Sequence, residues 1–159
     1  MLPHELQLER NPVPFYIENQ GVYLWAFERG RDNPRVLGRV NDEAAPWQAE
    51  AEQLAGFLLE VCFFETLIGA PFGASASWLS PAEVDRILQN WRPLPYGAWH
   101  WPAYPTRFYT RGGACAVVMP NGEGLTFCCG AQAQEELSFM LPYVSPDWEV
   151  CTFGPPRQG

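Results

Sequence analysis

FYIENQGVYLW, residues 15–25, places a polar island of Glu18, Asn19, Gln20 and Gly21 between two runs of aromatic and β-branched residues. Such runs favour strands, and Asn19 and Gly21 are suited to the positive φ angles of a tight connection. The stretch therefore predicts a β-hairpin. Apolar residues lie on both faces of its second strand, which is typical of a strand that is buried on both sides or that meets a partner. One face holds Val22, Leu24 and Ala26, and the other holds Tyr23, Trp25 and Phe27.

The next apolar segments predict a short strand at residues 36–40 and a long helix at about residues 47–68. The helical spacing rests on a stripe of Phe57, Val61, Phe64 and Ile68, with Leu54, Leu58 and Cys62 beside it. The second half of this segment is apolar nearly all round, so we expect the helix to be central. Three residues are expected at the centre of the core: Phe57, Val61 and Phe64.

The second half of the chain mixes helical and strand signals. GASAS, residues 73–77, predicts a flexible connection, and SPAEVDRILQNW predicts a helix with Ser80 as N-cap, Pro81 at its first position and Glu83 in a capping box. The prolines and aromatics of residues 92–105 predict an ordered loop. Two or three antiparallel strands, a short helix and a closing strand should follow.

The order of these elements predicts one α+β domain over residues 1–159, with a mainly antiparallel sheet packed against a few helices. A formal charge of −8 repels the phosphates of nucleic acids. The ten basic residues, all arginine, are scattered and do not form a basic patch that could offset this repulsion. The N-terminus has no signal-peptide pattern, and no apolar run is long enough to span a membrane. We therefore expect a soluble, cytoplasmic protein that binds neither nucleic acid nor membranes.

Histidine and cysteine give little basis for a metal site or a cofactor, and we predict neither. The two histidines, His4 and His100, are far apart in sequence. Cys128 and Cys129 are adjacent, and the alternation of a strand sends their side chains to opposite faces. The cysteines lie in apolar segments, which is typical of buried, reduced thiols.

Two groups of residues are candidates for binding a protein partner. The first contains the densest acids, Asp42, Glu43, Glu50 and Glu52, which could form a solvated face, a docking surface or a pair of catalytic carboxylates. The second contains three aromatic residues of the proline-rich loop, which could form a lid over the core or anchor a partner. These aromatics are Trp99, Trp101 and Tyr104.

Residues 5 to about 70 resemble the SMI1/KNR4, or SUKH, superfamily. In that family an F-Y-x-E-N-Q-G-x-x-x-W segment precedes a D-P-x-V segment and an L-x-x-F-L helix. This chain has Asn33 where the family has the aspartate of the second segment, and we expect it to lack an upstream helical segment. The matching residues are Phe15, Tyr16, Glu18, Asn19, Gln20, Gly21, Trp25, Pro34, Val36, Trp47, Leu54, Phe57 and Leu58.

The resemblance implies an α+β domain without catalytic residues. Bacterial members are regarded as immunity proteins that neutralise polymorphic toxins, and fungal relatives are interaction proteins in cell-wall signalling. A toxin-neutralising protein is therefore our leading expectation, with a regulatory interaction domain and a small hydrolase that uses paired carboxylates as alternatives. In the first two cases the polar island is a structural turn, whose amides satisfy backbone groups.

The cysteine pattern generates one prediction. Because the five thiols lie in apolar segments of a protein expected in a reducing compartment, none should form an internal disulfide. Mass spectrometry of protein purified without oxidant should find five free thiols, and an internal bridge would contradict the prediction.

Overall fold

The structure is a computed structural model and describes residues 11–154. Its first sheet is an antiparallel meander in which each strand pairs with the next along the chain. The hairpin predicted from the opening stretch forms its first two strands. The four strands are β1 (Val13–Ile17), β2 (Tyr23–Phe27), β3 (Arg35–Val40) and β4 (Gln48–Gln53).

The second sheet has six antiparallel strands in the order β10-β5-β9-β8-β7-β6. Its strands are β5 (Phe72–Leu79), β6 (Arg92–Pro93), β7 (Arg107–Arg111), β8 (Ala114–Asn121), β9 (Gly124–Ala131) and β10 (Val150–Cys151). Three helices complete the described fold: α1 (Leu54–Ile68), α2 (Pro81–Leu88) and a 3₁₀ helix (Gln134–Met140). The prediction of an α+β fold is confirmed.

Alternation along the central strands of the second sheet divides the core in two. Ala116 of β8 and Cys129 of β9 face a core built with α2, the 3₁₀ helix and Trp148. Val117 and Cys128 face the opposite core, which contains α1 and most of the buried aromatic residues. The adjacent cysteines therefore point to opposite faces, as predicted. The helix α1 contacts β8 and β9 on one side and β3 and β4 on the other, so it joins the two sheets.

Glu18 organises the hairpin turn, although the amides of the polar island were expected to do so. Its carboxylate accepts hydrogen bonds from the backbone N–H groups of Gln20, at 2.7 Å, and Val22, at 3.3 Å. Gly21 has a φ of 72°, whereas Asn19 does not take a positive φ. The island is thus a structural turn whose backbone donors are satisfied by an acid.

Side chains cap the N-termini of α1 and α2. Ser80 and Glu83 form the predicted capping box of α2. At α1 the capping residue is remote in sequence, because Oδ1 of Asn33 accepts a hydrogen bond from the N–H of Ala55 at 3.0 Å. The N–H of Leu54 donates to the carbonyl oxygen of Pro34 at 2.9 Å. Asn33 and Pro34 therefore satisfy the first free N–H groups of α1. The amide oxygen of Asn33 is sufficient for this capping role, which does not require the carboxylate of an aspartate.

Two element predictions are wrong. Residues 48–53 form β4 rather than the first turns of a helix, and α1 begins only at Leu54. Residues 73–77 belong to β5 rather than to a flexible connection. Their small size suits close packing, since a Cβ on Gly73 would lie 2.8 Å from the carbonyl oxygen of Cys129. In this region tertiary packing determines the structure more than local propensity does.

The helix α1 is also less buried than predicted. Within it only Phe57 and Glu60 are fully buried, while Val61 and Phe64 are half-buried against the same core. Ile68, the last member of the predicted stripe, is 54% exposed. Cys62 is exposed as well, in contrast to the expected burial of the thiols.

Burial along α1 predicts unequal costs for truncation. Phe57→Ala should lower the free energy of unfolding by about 3 to 5 kcal/mol, because Phe57 is completely buried among other rings. Phe64→Ala should cost less, since that ring is half-exposed. The neighbouring control Leu58→Ala should change stability by about 0.5 kcal/mol or less. Urea denaturation measures all three, and equal costs for Phe57 and Leu58 would contradict this placement.

Candidate functional site

Three glutamates converge beneath the proline-rich loop. The alternation of β4 puts Glu50 and Glu52 on the same side of the strand. Glu60 projects from the buried side of α1. Glu50 is 6% exposed and Glu60 is 1% exposed, so both carboxyl groups lie in the interior. Burial on this scale requires hydrogen-bond partners for the acids.

The loop and the first sheet supply the partners of the β4 acids. Glu50 accepts a hydrogen bond from the indole Nε1 of Trp25 at 2.9 Å. The Nδ1 atom of His100 lies 2.9 Å from its other oxygen, a contact that is an ion pair when the imidazole is protonated. Glu52 accepts a hydrogen bond from the backbone N–H of Gly97 at 2.9 Å. These bonds attach the loop to β4.

Glu60 is the most perturbed acid of this group. It accepts a hydrogen bond from Nε1 of Trp99 at 2.6 Å, and its second oxygen has no hydrogen-bond partner within residues 11–154. Burial raises the pKa of Glu60 from 4.5 to about 8; the Trp99 bond lowers this pKa, and the charges of Glu52 and Glu50 raise it. Glu60 is therefore mostly protonated at neutral pH.

The aromatic residues of the proline-rich loop pack on the core that contains α1. The ring of Trp99 stacks on Phe57 with centroids 5.1 Å apart, and its side chain is only 1% exposed. Trp101 stacks on Tyr23 at 5.2 Å and is half-buried. The predicted anchors are thus separated. Trp99 is a core residue, and Tyr104, which is 63% exposed, is the one that faces solvent most fully.

The four predicted acids are separated as well. Asp42 and Glu43 are exposed in the loop between β3 and β4. The expectation of a single solvated or docking surface does not hold for Glu50, because a buried carboxylate cannot contribute to an exposed face. The helical pattern predicts a helix start at Glu50 and Glu52, whereas these residues lie in β4, whose alternation turns both side chains inward.

Glu60 was not among the candidates, although the sequence carries a signal for it. It follows Phe57 by three residues in a segment that is otherwise nearly apolar, and residues three apart lie on the same side of a helix. A lone acid at a stripe position is either exposed at the border of the stripe or buried with a partner. Periodicity alone cannot distinguish these cases.

The chemistry open to this centre is limited by its own hydrogen bonds. Glu50 and Glu52 already accept bonds from the fold, and Glu60 is enclosed. Within residues 11–154 no group of three histidine, cysteine or acidic side chains has a geometry that could hold a metal ion.

In the same part of the chain, no helix has the length and apolar character needed to cross a membrane.

Comparison with models of protein families, with curated proteins and with solved structures finds no match for this chain.

The raised pKa of Glu60 predicts how stability depends on pH. Between pH 4.5 and about 8 the unfolded chain loses the Glu60 proton while the folded chain keeps it. Folding then binds a proton, so the contribution of Glu60 to stability falls as pH rises, by at most about 1.4 kcal/mol per pH unit.

Glu60→Gln removes this titration while the amide oxygen can still accept the Trp99 bond. The variant should differ little from wild type near pH 4.5 and should become progressively more stable than wild type towards pH 8. Urea denaturation at several pH values gives the difference, with the half-exposed Glu52→Gln as control. A difference that is constant across this range would contradict the assignment.

Proposed function

We propose that the protein is a non-catalytic, cytoplasmic binding domain that neutralises a protein toxin, as immunity proteins of the SUKH type are regarded as doing. One observation carries the proposal. The three converging carboxylates, which are the strongest candidates for catalytic groups, accept hydrogen bonds from indole, imidazole and backbone donors of the same chain. Each of these acids has at least one partner within the fold, which favours a structural role for them and binding through the surface.

The motif that resembles the SUKH superfamily has structural roles that agree with this proposal. Glu18 closes the hairpin turn, Asn33 caps α1, and Trp25 donates to a buried acid. None of these roles requires a substrate. A family that shares Glu18 and Trp25, with aspartate as the oxygen acceptor at position 33, would share a scaffold on which variable surfaces can bind different partners.

Charge supports a basic partner. The formal charge of −8 raises the rate of association with a positively charged protein, and a toxin that attacks nucleic acid carries such a surface. A hydrolase with paired carboxylates would instead need two acids that face an open cleft. The burial of Glu50 and Glu60 gives that alternative less support.

The test uses the protein encoded by the adjacent coding sequence. That protein should arrest growth when it is expressed alone, and co-expression of this chain should restore growth. Calorimetry with the purified proteins should find a tight one-to-one complex, and an unrelated protein of similar acidity serves as the control. A toxic neighbour that neither binds this chain nor is neutralised by it would contradict the proposal. Binding to a neighbour that is not toxic would instead favour a regulatory interaction domain.

A further inference from the structure

The helix α1 exposes apolar residues while it buries an acid. Its solvent side carries Glu65 and, beside it, five uncharged residues that recur at helical spacing. These five are here called the outer face of α1. The two leucines of this face are 44% and 50% exposed. The outer face of α1 consists of Ala55, Leu58, Leu59, Cys62 and Thr66.

The polar atoms of this face are largely satisfied within the helix. The hydroxyl of Thr66 donates to the carbonyl oxygen of Cys62 at 2.7 Å, one turn earlier. The hydroxyl proton of Thr66 therefore already has an acceptor within the helix. Cys62 is a free thiol and behaves as a small apolar residue. Exposed apolar residues that are grouped on one face of a helix favour an interaction site more than scattered ones do.

An ordered acid lies beside the outer face of α1. Glu65 follows Cys62 by three residues and Leu58 by seven, so it borders the same side of the helix. The Tyr16 hydroxyl donates a hydrogen bond to this carboxylate and fixes its position. No basic residue occurs in α1. The charge that α1 itself places beside the outer face is therefore negative.

We propose that the outer face of α1 docks a basic protein partner whose contact segment presents an apolar stripe flanked by lysine or arginine. Apolar contact with Leu58 and Leu59 supplies affinity, and Glu65 pairs with a basic side chain at the rim. A second copy of this chain fits less well, because each copy carries a charge of −8. This inference rests on the proposed function and assigns it a surface.

The primary test compares Leu59→Glu with Val150→Glu, which changes an equally exposed residue on β10. Both variants add one negative charge, and that charge should favour a basic partner at long range. A loss of affinity in Leu59→Glu therefore reports lost apolar contact. With the product of the adjacent coding sequence as the probe, we expect about a tenfold or greater loss for Leu59→Glu, mainly through faster dissociation. Val150→Glu should bind as wild type does, and thermal unfolding should show both variants folded.

Two further measurements use native features of the surface. Cys62 is exposed at the centre of the outer face of α1, so the partner should slow its reaction with a small maleimide. Glu65→Gln should slow association and reduce its dependence on salt, while it changes dissociation less than Leu59→Glu does. Unchanged Cys62 reactivity in the complex would overturn the proposed surface.

The outcomes separate the two proposals. If wild type does not bind the adjacent product, the proposed function fails. If wild type binds and Leu59→Glu binds equally well, the function stands and this surface is wrong. Sedimentation of the chain alone should find a monomer at micromolar concentration. A dimer that Leu59→Glu dissociates would also overturn the inference, because a second copy would then occupy the face.

Discussion

Hydrogen bonds from indole N–H groups to buried carboxyl groups are the constraint on which this structure depends. Trp25 of β2 donates to Glu50 of β4, and Trp99 of the proline-rich loop donates to Glu60 of α1. Each bond links elements distant in sequence. Such a bond contributes about 0.5 to 1.5 kcal/mol when the carboxyl group is protonated, as Glu60 mostly is at neutral pH, and about 1.5 to 3 kcal/mol when it is charged. The loss of one partner costs more when the other stays buried without water. Strand, helix and loop must therefore assemble together.

The same constraint explains why α1 buries an acid while it exposes two leucines. One buried position is given to Glu60, which needs Trp99 above it, and Phe57 packs flat against that indole. The helix is held by a few well-placed contacts to both sheets and leaves Leu58 and Leu59 in solvent. The inner side of α1 thus maintains the fold, and the outer side is the surface where we propose that a partner binds.

Local sequence signals were sufficient where each element depends on its own residues. The hairpin of β1 and β2, the capping box of α2 and the strands β7 to β9 follow from turn chemistry, caps and alternation. The prediction failed at β4, because the inward side of QAEAEQ is acidic. Because buried positions are ordinarily apolar, the pattern of this segment predicts that it lies on the surface. The acids of β4 can face inward because Trp25, Gly97 and His100, which are distant in sequence, supply hydrogen bonds to them.

The candidate site was predictable only in part. Of the candidates, Glu50, Glu52 and Trp99 lie with Glu60 beneath or within the proline-rich loop, whereas Asp42, Glu43 and Tyr104 are exposed. Trp99 and Glu50 are buried. Their burial depends on contacts across 25 to 50 residues, as the Trp25–Glu50 and His100–Glu50 pairs demonstrate. No local period contains that information.

Hydrogen exchange of the indole N–H protons, followed by NMR, measures whether Trp25 and Trp99 hold the buried acids. Trp78 provides an internal reference, because it is 69% exposed with a φ of 63° in the irregular part of β5. The Trp25 and Trp99 protons should be strongly protected and should exchange through global unfolding, whereas the Trp78 proton should exchange almost freely. Rapid exchange of Trp25 and Trp99 at the rate of Trp78 would contradict this role of the two indoles, because the buried acids would then lack the donors that hold the fold together.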